Sequence, residues 1–358
     1  MLTELPPDAG PKEILTAWAT AGVLTELYGE RPAGRLNPLT LRRLLAAADA
    51  RGPQGLVLAL LVQLATAVPL LAETATTPLA ERTLAQAADG GTLLALAATD
   101  EAAGSDLAAL GTTVDLGDGS ADLVVSGTKR WVTSASTADH ALVLARHKPG
   151  RHFTSFTWVL VPLTAPGVTV EPTGTTLFQG SGVGHLTLSG VVLSREHLLG
   201  RPGRGLALFA RHIAVERLAS AAWAIALCRR VLADTERRLR ERLVDGVPLR
   251  QSASVRQRLA DCAVRLSALH ALWATSCEKI AVDRDATAAA VLKAASGTTV
   301  EHVLTVCGQL QGADGFGAGG VQELRAEAAV FGIGGGTTET VHDTVADRLD
   351  TVLSGLAP

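Results

Sequence analysis

Two stretches of the chain carry residue types that can do chemistry. The first is Phe331–Arg348, FGIGGGTTETVHDTVADR. Each of its consecutive glycines, Gly334 to Gly336, would cost about 1 kcal/mol inside a helix relative to alanine. They mark a tight turn whose backbone can pass close to a flat group. A polar helix follows Thr337 and Thr338, and a glycine turn opening a helix offers unpaired N–H groups at the positive end of a helix dipole. Taken alone, the stretch reads first as an ordinary loop and N-cap. The second is Glu216–Arg217 in HIAVERLASAAWAIAL, the only charges between Ile213 and Leu227. Burying an unpaired charge is expensive. Either the pair has a chemical role, or Glu216 pairs with a nearby cation or lies on a solvated face.

The elements that position these stretches change character twice. Residues 12–88 have helical periodicity: Ile14, Leu15 and Trp18, then Val23, Leu24 and Leu27 beyond a weakening Gly22, then Leu39–Ala50, Leu56–Ala72 and a segment opened by Pro78 and stopped by Gly90 and Gly91. From Thr92 the chain breaks into short β-type runs, LLALAATDE, ADLVVSG, KRWVTSA, HALVLAR, FTSFTWVLVPL and HLTLSGVVL, which predict an antiparallel sandwich or barrel of about 100 residues. After LLGRPGRG, helical periods run over Leu206–Val244, Val255–Ala281 and Thr287–Leu310, followed by a glycine-rich hairpin and a closing helix.

The 358 residues suffice for two or three domains, and with 47% apolar and 19% charged residues the chain is globular. A net charge of −3 gives no electrostatic case for nucleic acid. Cys228, Cys262, Cys277 and Cys307 form no CxxC pair and fall in helical patterns, which predicts buried thiols in a reducing compartment, the cytoplasm. No histidines have ligand spacing on a helix, so no metal is expected. MLTELPPDAGPKE has neither a basic nor an apolar leader region. Leu56–Ala72 is uncharged and apolar but contains Gln63, Thr66 and Pro69, which favours a buried helix over a membrane span. GFGAGG and GIGGG resemble a dinucleotide fingerprint only loosely, and neither follows a strand of a βαβ unit.

Several motifs, in order and spacing, resemble the acyl-CoA dehydrogenase family. TDEAAGSD (Thr99–Asp106) is similar to TEPGAGSD, and KRWVTSA (Lys129–Ala135) to KxWITNA, followed by ADHALVLAR. VVLSREHLLG resembles the segment closing the family's β domain, QLQGADGF (Gln309–Phe316) resembles QxxGGxGY, and GGGTTE resembles EGTxE/Q. The resemblance spans Leu56 to Leu353. It implies an α+β fold with an N-terminal helical domain (1–91), a middle antiparallel β domain (92–203) and a C-terminal four-helix bundle (204–358). It also implies an FAD site. Trp131 and Thr133 would lie against the isoalloxazine, Ala98 and Thr99 at its polar edge, and Ser105 near both flavin and thioester. Gln309, Gly312, Thr337 and Glu339 would touch the adenosine-diphosphate part. Arg242 matches an arginine that reaches FAD across a subunit interface, which implies a homodimer or homotetramer.

Removing two hydrogens from an acyl thioester needs a base for the α-proton and an acceptor for the β-hydride, the role of flavin N5. It also needs donors to the thioester carbonyl, where negative charge develops. Many family members place the base immediately before the closing GT, where this chain has Gly335. Isovaleryl-CoA dehydrogenase-like members carry it on a C-terminal-bundle helix within an ER pair, which here is Glu216–Arg217. The resemblance therefore implies Glu216 as base, the Gly335 N–H as a carbonyl donor, and Arg217 orienting base or substrate. The chain departs from the pattern at Asp245, where RxxFG has an aromatic, at Ala313, and at Ala326-Glu327-Ala328, where RDA is usual. The substrate would be an acyl group on CoA or on an acyl-carrier protein, in a specialised biosynthetic or a catabolic setting, with electron-transfer flavoprotein or oxygen as acceptor. Two alternatives stay open: a flavin oxidase or hydroxylase on the same scaffold, and a degenerate partner subunit.

Overall fold

The computed structural model describes residues 5–32, 34–101, 103–104, 106–117 and 122–356. The chain forms two compact units. One combines Met1–Leu41 with Gly55–Glu216, the other Arg42–Gln54 with Arg217–Pro358.

In the first unit, α1 (Pro11–Thr20) and α2 (Val23–Tyr28) are separated by Gly22, whose φ of 74° only glycine adopts freely. Helix α3 (Pro38–Asp49) continues into the second unit. The apolar run becomes α4 (Gln54–Val62), a π-helical turn over Gln63–Ala67, and α5 (Val68–Thr74). This continuous helix is long and apolar enough to cross a membrane, yet 89% of its most apolar window is buried within the protein. The π-turn has a cause in Pro69: with no N–H for the carbonyl four residues back, the α-pattern cannot close there. Surrounding groups take up the strain. Tyr28 Oη donates to the Leu64 carbonyl at 2.8 Å, and burial holds that phenol neutral, well above its usual pKa. Gln63 donates to Thr92 O and accepts from Leu94 N, at 3.0 and 2.8 Å, tying the turn to the first strand.

After α6 (Pro78–Ala88) come β1 (Leu94–Ala97), β2 (Thr113–Asp115), β3 (Asp122–Val132), β4 (His140–Arg146), β5 (Phe156–Pro162), β6 (Val168–Pro172), β7 (Gly184–Ser194) and β8 (Leu198–Leu199). Their order is β6-β7-β3-β2-β4-β5-β8, with β1 beside β4. The pairing is antiparallel except for β1–β4 and β2–β4, which are parallel. The sheet is therefore mixed where an antiparallel one was expected. The long excursion between β1 and β4 is the kind of crossover that parallel pairing requires. Two of the predicted runs, ADLVVSG and KRWVTSA, contribute residues 122–127 and 129–132 to one strand, β3. Gly127 (φ 140°) lets it pass Thr112, whose Cα would lie 2.6 Å from an added Cβ. Val125, Val143, Val159, Val161 and Leu186, all fully buried, fill the core of this sheet.

The cut between units falls within α7 (Gly205–Glu241), just after Glu216. In the second unit α7 continues into a hairpin of β9 (Leu243–Val244) and β10 (Val247–Pro248). Asp245 (φ 51°) and Gly246 (φ 76°) form its two-residue turn. Positive φ at both positions suits an Asp-Gly pair, so Asp245 makes a turn where the family pattern has an aromatic. Then follow α8 (Ala253–Asp283), α9 (Ala286–Gln311), α10 (Val321–Glu327), α11 (Val330–Ile333), α12 (Thr338–Ala346) and α13 (Leu349–Ser354). Helix α9 packs on α8 and α12, and its Lys293, almost fully buried, donates to the Phe331 carbonyl. The segment of α3 from Arg42 is held to α7 by buried Asp49, which takes Arg230 Nε and Nη2 at 2.8 and 3.0 Å.

Candidate active site

In the first unit, Glu216 is half-buried on α7 and accepts a hydrogen bond from Thr66 Oγ1 at 3.1 Å. Thr66 sits in the π-turn and is fully buried. One turn earlier on α7, buried His212 meets Glu73 of α5 at 3.0 Å, and Arg211 holds the other oxygen of Glu73 at 2.6 Å. Two polar contacts thus fix the turn of α7 that carries Glu216. A hydroxyl donating to a carboxylate orients it and stabilises its ionised form. Thr66 is not among the residues that the family motifs single out. Its signal was the placing of Gln63, Thr66 and Pro69 in an otherwise apolar run. Thr66→Val removes the donor while keeping the shape, and should move the acid limb of the kcat/KM profile to higher pH. An unmoved limb would show that the hydroxyl does not act on the base.

The end of β3 presents the residues expected against a flavin. The β3–β7 register shifts between Lys129 and Val132, and within this bulge Trp131 has φ 53° and is 63% exposed. A bulky residue in that conformation is a strained exception, of a kind that concentrates at ligand sites. Its N–H donates to His185 Nδ1 at 3.1 Å, and the two rings meet edge-on at 5.5 Å. Thr133 is half-buried, and Ser134 (φ 64°) is fully buried with a hydroxyl that has no hydrogen-bond partner among the described residues. Ala98 and Thr99 are fixed by the same strand, since Lys129 Nζ donates to Ala98 O at 3.0 Å and Arg130 N to Thr99 O at 3.1 Å. Each of those carbonyls thus already accepts one hydrogen bond from β3. Ser105 lies outside the described residues.

Lys129 is itself buried. Asp100, 4.0 Å from its Nζ, accepts from Gly111 N, Thr112 N and Thr112 Oγ1. Burial lowers the lysine pKa to about 7, and the nearby carboxylate opposes that shift. The unfolded chain keeps this proton up to its ordinary value near 10.5, whereas the folded one releases it from about 7. Stability from this group therefore rises with pH between those values. The thermal midpoint of the wild type should climb more from pH 7 to 9 than that of Lys129→Met. Parallel slopes would remove Lys129 as the cause.

The second unit holds the remaining predicted residues. Arg242 Nη1 would lie 3.6 Å from a Cβ at Gly312, whose φ is 63°. Arg258 Nη2 donates to Gln309 Oε1 at 2.5 Å. Two guanidinium groups thus flank the Gln309–Gly312 segment of one chain. Arg217 Nε donates to the Gly335 carbonyl at 2.9 Å, and Gly335 (φ 73°) and Gly336 (φ 103°) turn the backbone into α12. Thr337 caps that helix by accepting from Thr340 N, and exposed Glu339 lies in its first turn. The Glu339 carboxyl is held below its usual range by its own backbone N–H and by Thr337.

These residues fit FAD. The first unit offers the exposed Trp131 face and, three residues on, the buried Ser134 hydroxyl, unpartnered among the described residues. Taken by itself, the second unit offers guanidinium groups at a left-handed glycine, a donor set suited to a diphosphate. Residues 95–191 match the family model for the acyl-CoA dehydrogenase middle domain, and residues 203–349 that for its C-terminal domain. The chain belongs to the acyl-CoA dehydrogenase family. An acyl-[acyl-carrier-protein] dehydrogenase from Mycobacterium bovis is 30% identical over 271 residues, covering 73% of this chain and 67% of that protein. A cyclohex-1-ene-1-carbonyl-CoA dehydrogenase from Geobacter metallireducens is 29% identical over 268 residues, covering 73% and 70%. The crystal structure of a probable acyl-CoA dehydrogenase from Mycobacterium abscessus superposes with a TM-score of 0.87 at 23% identity, covering 97% of this chain and 91% of that one, a likeness of fold. Membership of the family makes the chain an oxidoreductase acting on a CH–CH bond.

Proposed function

We propose that the chain catalyses FAD-dependent α,β-dehydrogenation of an acyl thioester, yielding a trans-2-enoyl thioester. The observation that carries this reading is the half-buried Glu216 carboxylate, oriented by Thr66 on a π-turn, in a chain with glycine at the usual base position. Glu216 takes the α-proton. A carboxylate is strong enough for this only if charge on the thioester oxygen is stabilised, the role of the Gly335 N–H. Arg217, bonded to the Gly335 carbonyl, holds that turn in place. Trp131 and Thr133 would face the isoalloxazine, with Ala98 and Thr99 at its polar edge, and the family pattern assigns Ser105, outside the described residues, to both flavin and thioester. Gln309, Gly312, Thr337 and Glu339 would hold the adenosine-diphosphate part, and Arg242 would reach FAD across a subunit interface. When bound, FAD supplies the two-electron acceptor for the β-hydride.

The relatives' substrates are a carrier-protein thioester and a CoA thioester, and this chain's substrate is of one of these two kinds, in a biosynthetic setting. Electron-transfer flavoprotein or oxygen as acceptor, a homo-oligomer, a cytoplasmic location and the division at 1–91, 92–203 and 204–358 complete the proposal. Mass analysis of an acyl-thioester panel after turnover with an artificial acceptor tests it. The product should have lost two hydrogens and carry a trans double bond next to the carbonyl. A product that has gained oxygen would overturn it in favour of hydroxylation.

A further inference from the structure

The second unit contains a 470 Å³ cavity among α3, α7 and α8 that no step of the proposed reaction uses. Its α7 wall is the stripe Ala222, Ile225, Ala226 and Arg229. At 3.6 residues per turn this stripe centres on the side of α7 away from Glu216. The first three of these residues are buried and form an apolar floor.

The rim is basic, and no carboxylate is among the described residues that line the cavity. Arg42 of α3 is half-buried, with its guanidinium 5.1 Å above the ring of Trp273 and its Nη1 2.8 Å from His270 Nε2. Stacking and the imidazole contact hold it in one orientation. Arg229 faces the same space from α7, and Ser267 adds a hydroxyl from α8. Elsewhere on this half of α7, Arg230 pairs with Asp49, Arg237 and Arg238 with Asp234, and Arg240 with Glu236. Arg42 and Arg229 form no ion pair among the described residues, and both line this one cavity. Two like charges held around an apolar hollow repel each other unless an anion neutralises them, and guanidinium forks match the oxygens of carboxylate or phosphate.

We propose that this cavity binds an amphipathic oxyanion, a carboxylate or phosphate monoester head on a short apolar body, with Arg42 and Arg229 on the head and the alanine floor under the body. The volume lies within the range of small-molecule sites.

The test is calorimetric titration of the FAD-loaded protein with n-octanoate, n-octyl phosphate and the uncharged n-octyl glucoside. Binding of one or both anions with an unchanged flavin spectrum is expected, together with little binding of the glucoside, and the stronger anion identifies the head group. Arg229→Gln, a change at an exposed position, should weaken the anion at least about fivefold, and Arg42→Gln with Arg229→Gln at least about tenfold, while the flavin band and thermal midpoint of the single variant stay at wild-type values. No anion binding, equal binding of the glucoside, or unchanged affinity in Arg229→Gln would overturn the proposal.

Discussion

Glu216→Gln should retain FAD and its visible spectrum while losing substrate-driven bleaching of the flavin by about 10²- to 10⁴-fold in rate, the range that a positioned general base contributes. Glutamine keeps the shape and still accepts from Thr66 Oγ1, so the first-unit packing around Thr66, His212 and Glu73 stays intact. What it lacks is a site for the α-proton. Rapid-mixing measurements under anaerobic conditions separate this step from reoxidation. A variant that bleaches at the wild-type rate would mean that another group takes the proton. Such a result would leave the family and the cofactor standing, since neither rests on Glu216.

Gly55→Ala should lower stability severely, by roughly 3 kcal/mol or more, above the usual range for overpacking. A Cβ at Gly55 would lie 2.2 Å from Phe178 O and 2.3 Å from Gln179 O, backbone atoms that a rotamer change cannot move. Phe178 itself has φ 58°, so the loop is already in a restricted conformation. The helix that begins here carries Thr66, and a shift at its start displaces the hydroxyl that orients Glu216. A large fall in thermal midpoint accompanied by weaker bleaching is the expected pair of results. A midpoint near that of the wild type would show that the loop gives way.

Much of the fold is legible in the sequence because its patterns are long. The apolar period over Leu206–Val244 predicts α7, which in fact ends at Glu241 because Asp245–Gly246 turns the chain into a hairpin. Ile14, Leu15 and Trp18 predict the buried face of α1, and all three are buried. Short strands leave weaker traces. Thr113–Asp115 and Val168–Pro172 are too brief and too exposed to show a period of two, and pairing with β3 and β4, and with β7, makes them strands. The parallel β1–β4 pair depends on connection geometry, which composition does not encode.

Side-chain roles divide along the same line. Glu216–Arg217 stood out because charge is rare on so apolar a helix, and the pair proves to be engaged with Thr66 and with the Gly335 carbonyl. Thr66 as a donor was hidden, since its role depends on a π-turn that arises from Pro69 and is sustained by Tyr28 and Gln63 from elsewhere in the chain. Trp131 is legible through its motif, but its strained backbone and 63% exposure follow from a register shift that no residue pattern announces. Asp245 looks like damage to a cofactor motif until the turn it forms is seen.

The most direct test of an acyl-thioester dehydrogenase is the visible spectrum of the purified protein, taken before and after anaerobic addition of matched acyl-CoA and acyl-carrier-protein thioesters. The bound-flavin band should bleach with one of the two carriers and yield the 2-enoyl product in proportion to the flavin reduced. A protein that cannot be loaded with FAD, or a flavin band left unchanged by every thioester of both kinds, would contradict the dehydrogenase assignment.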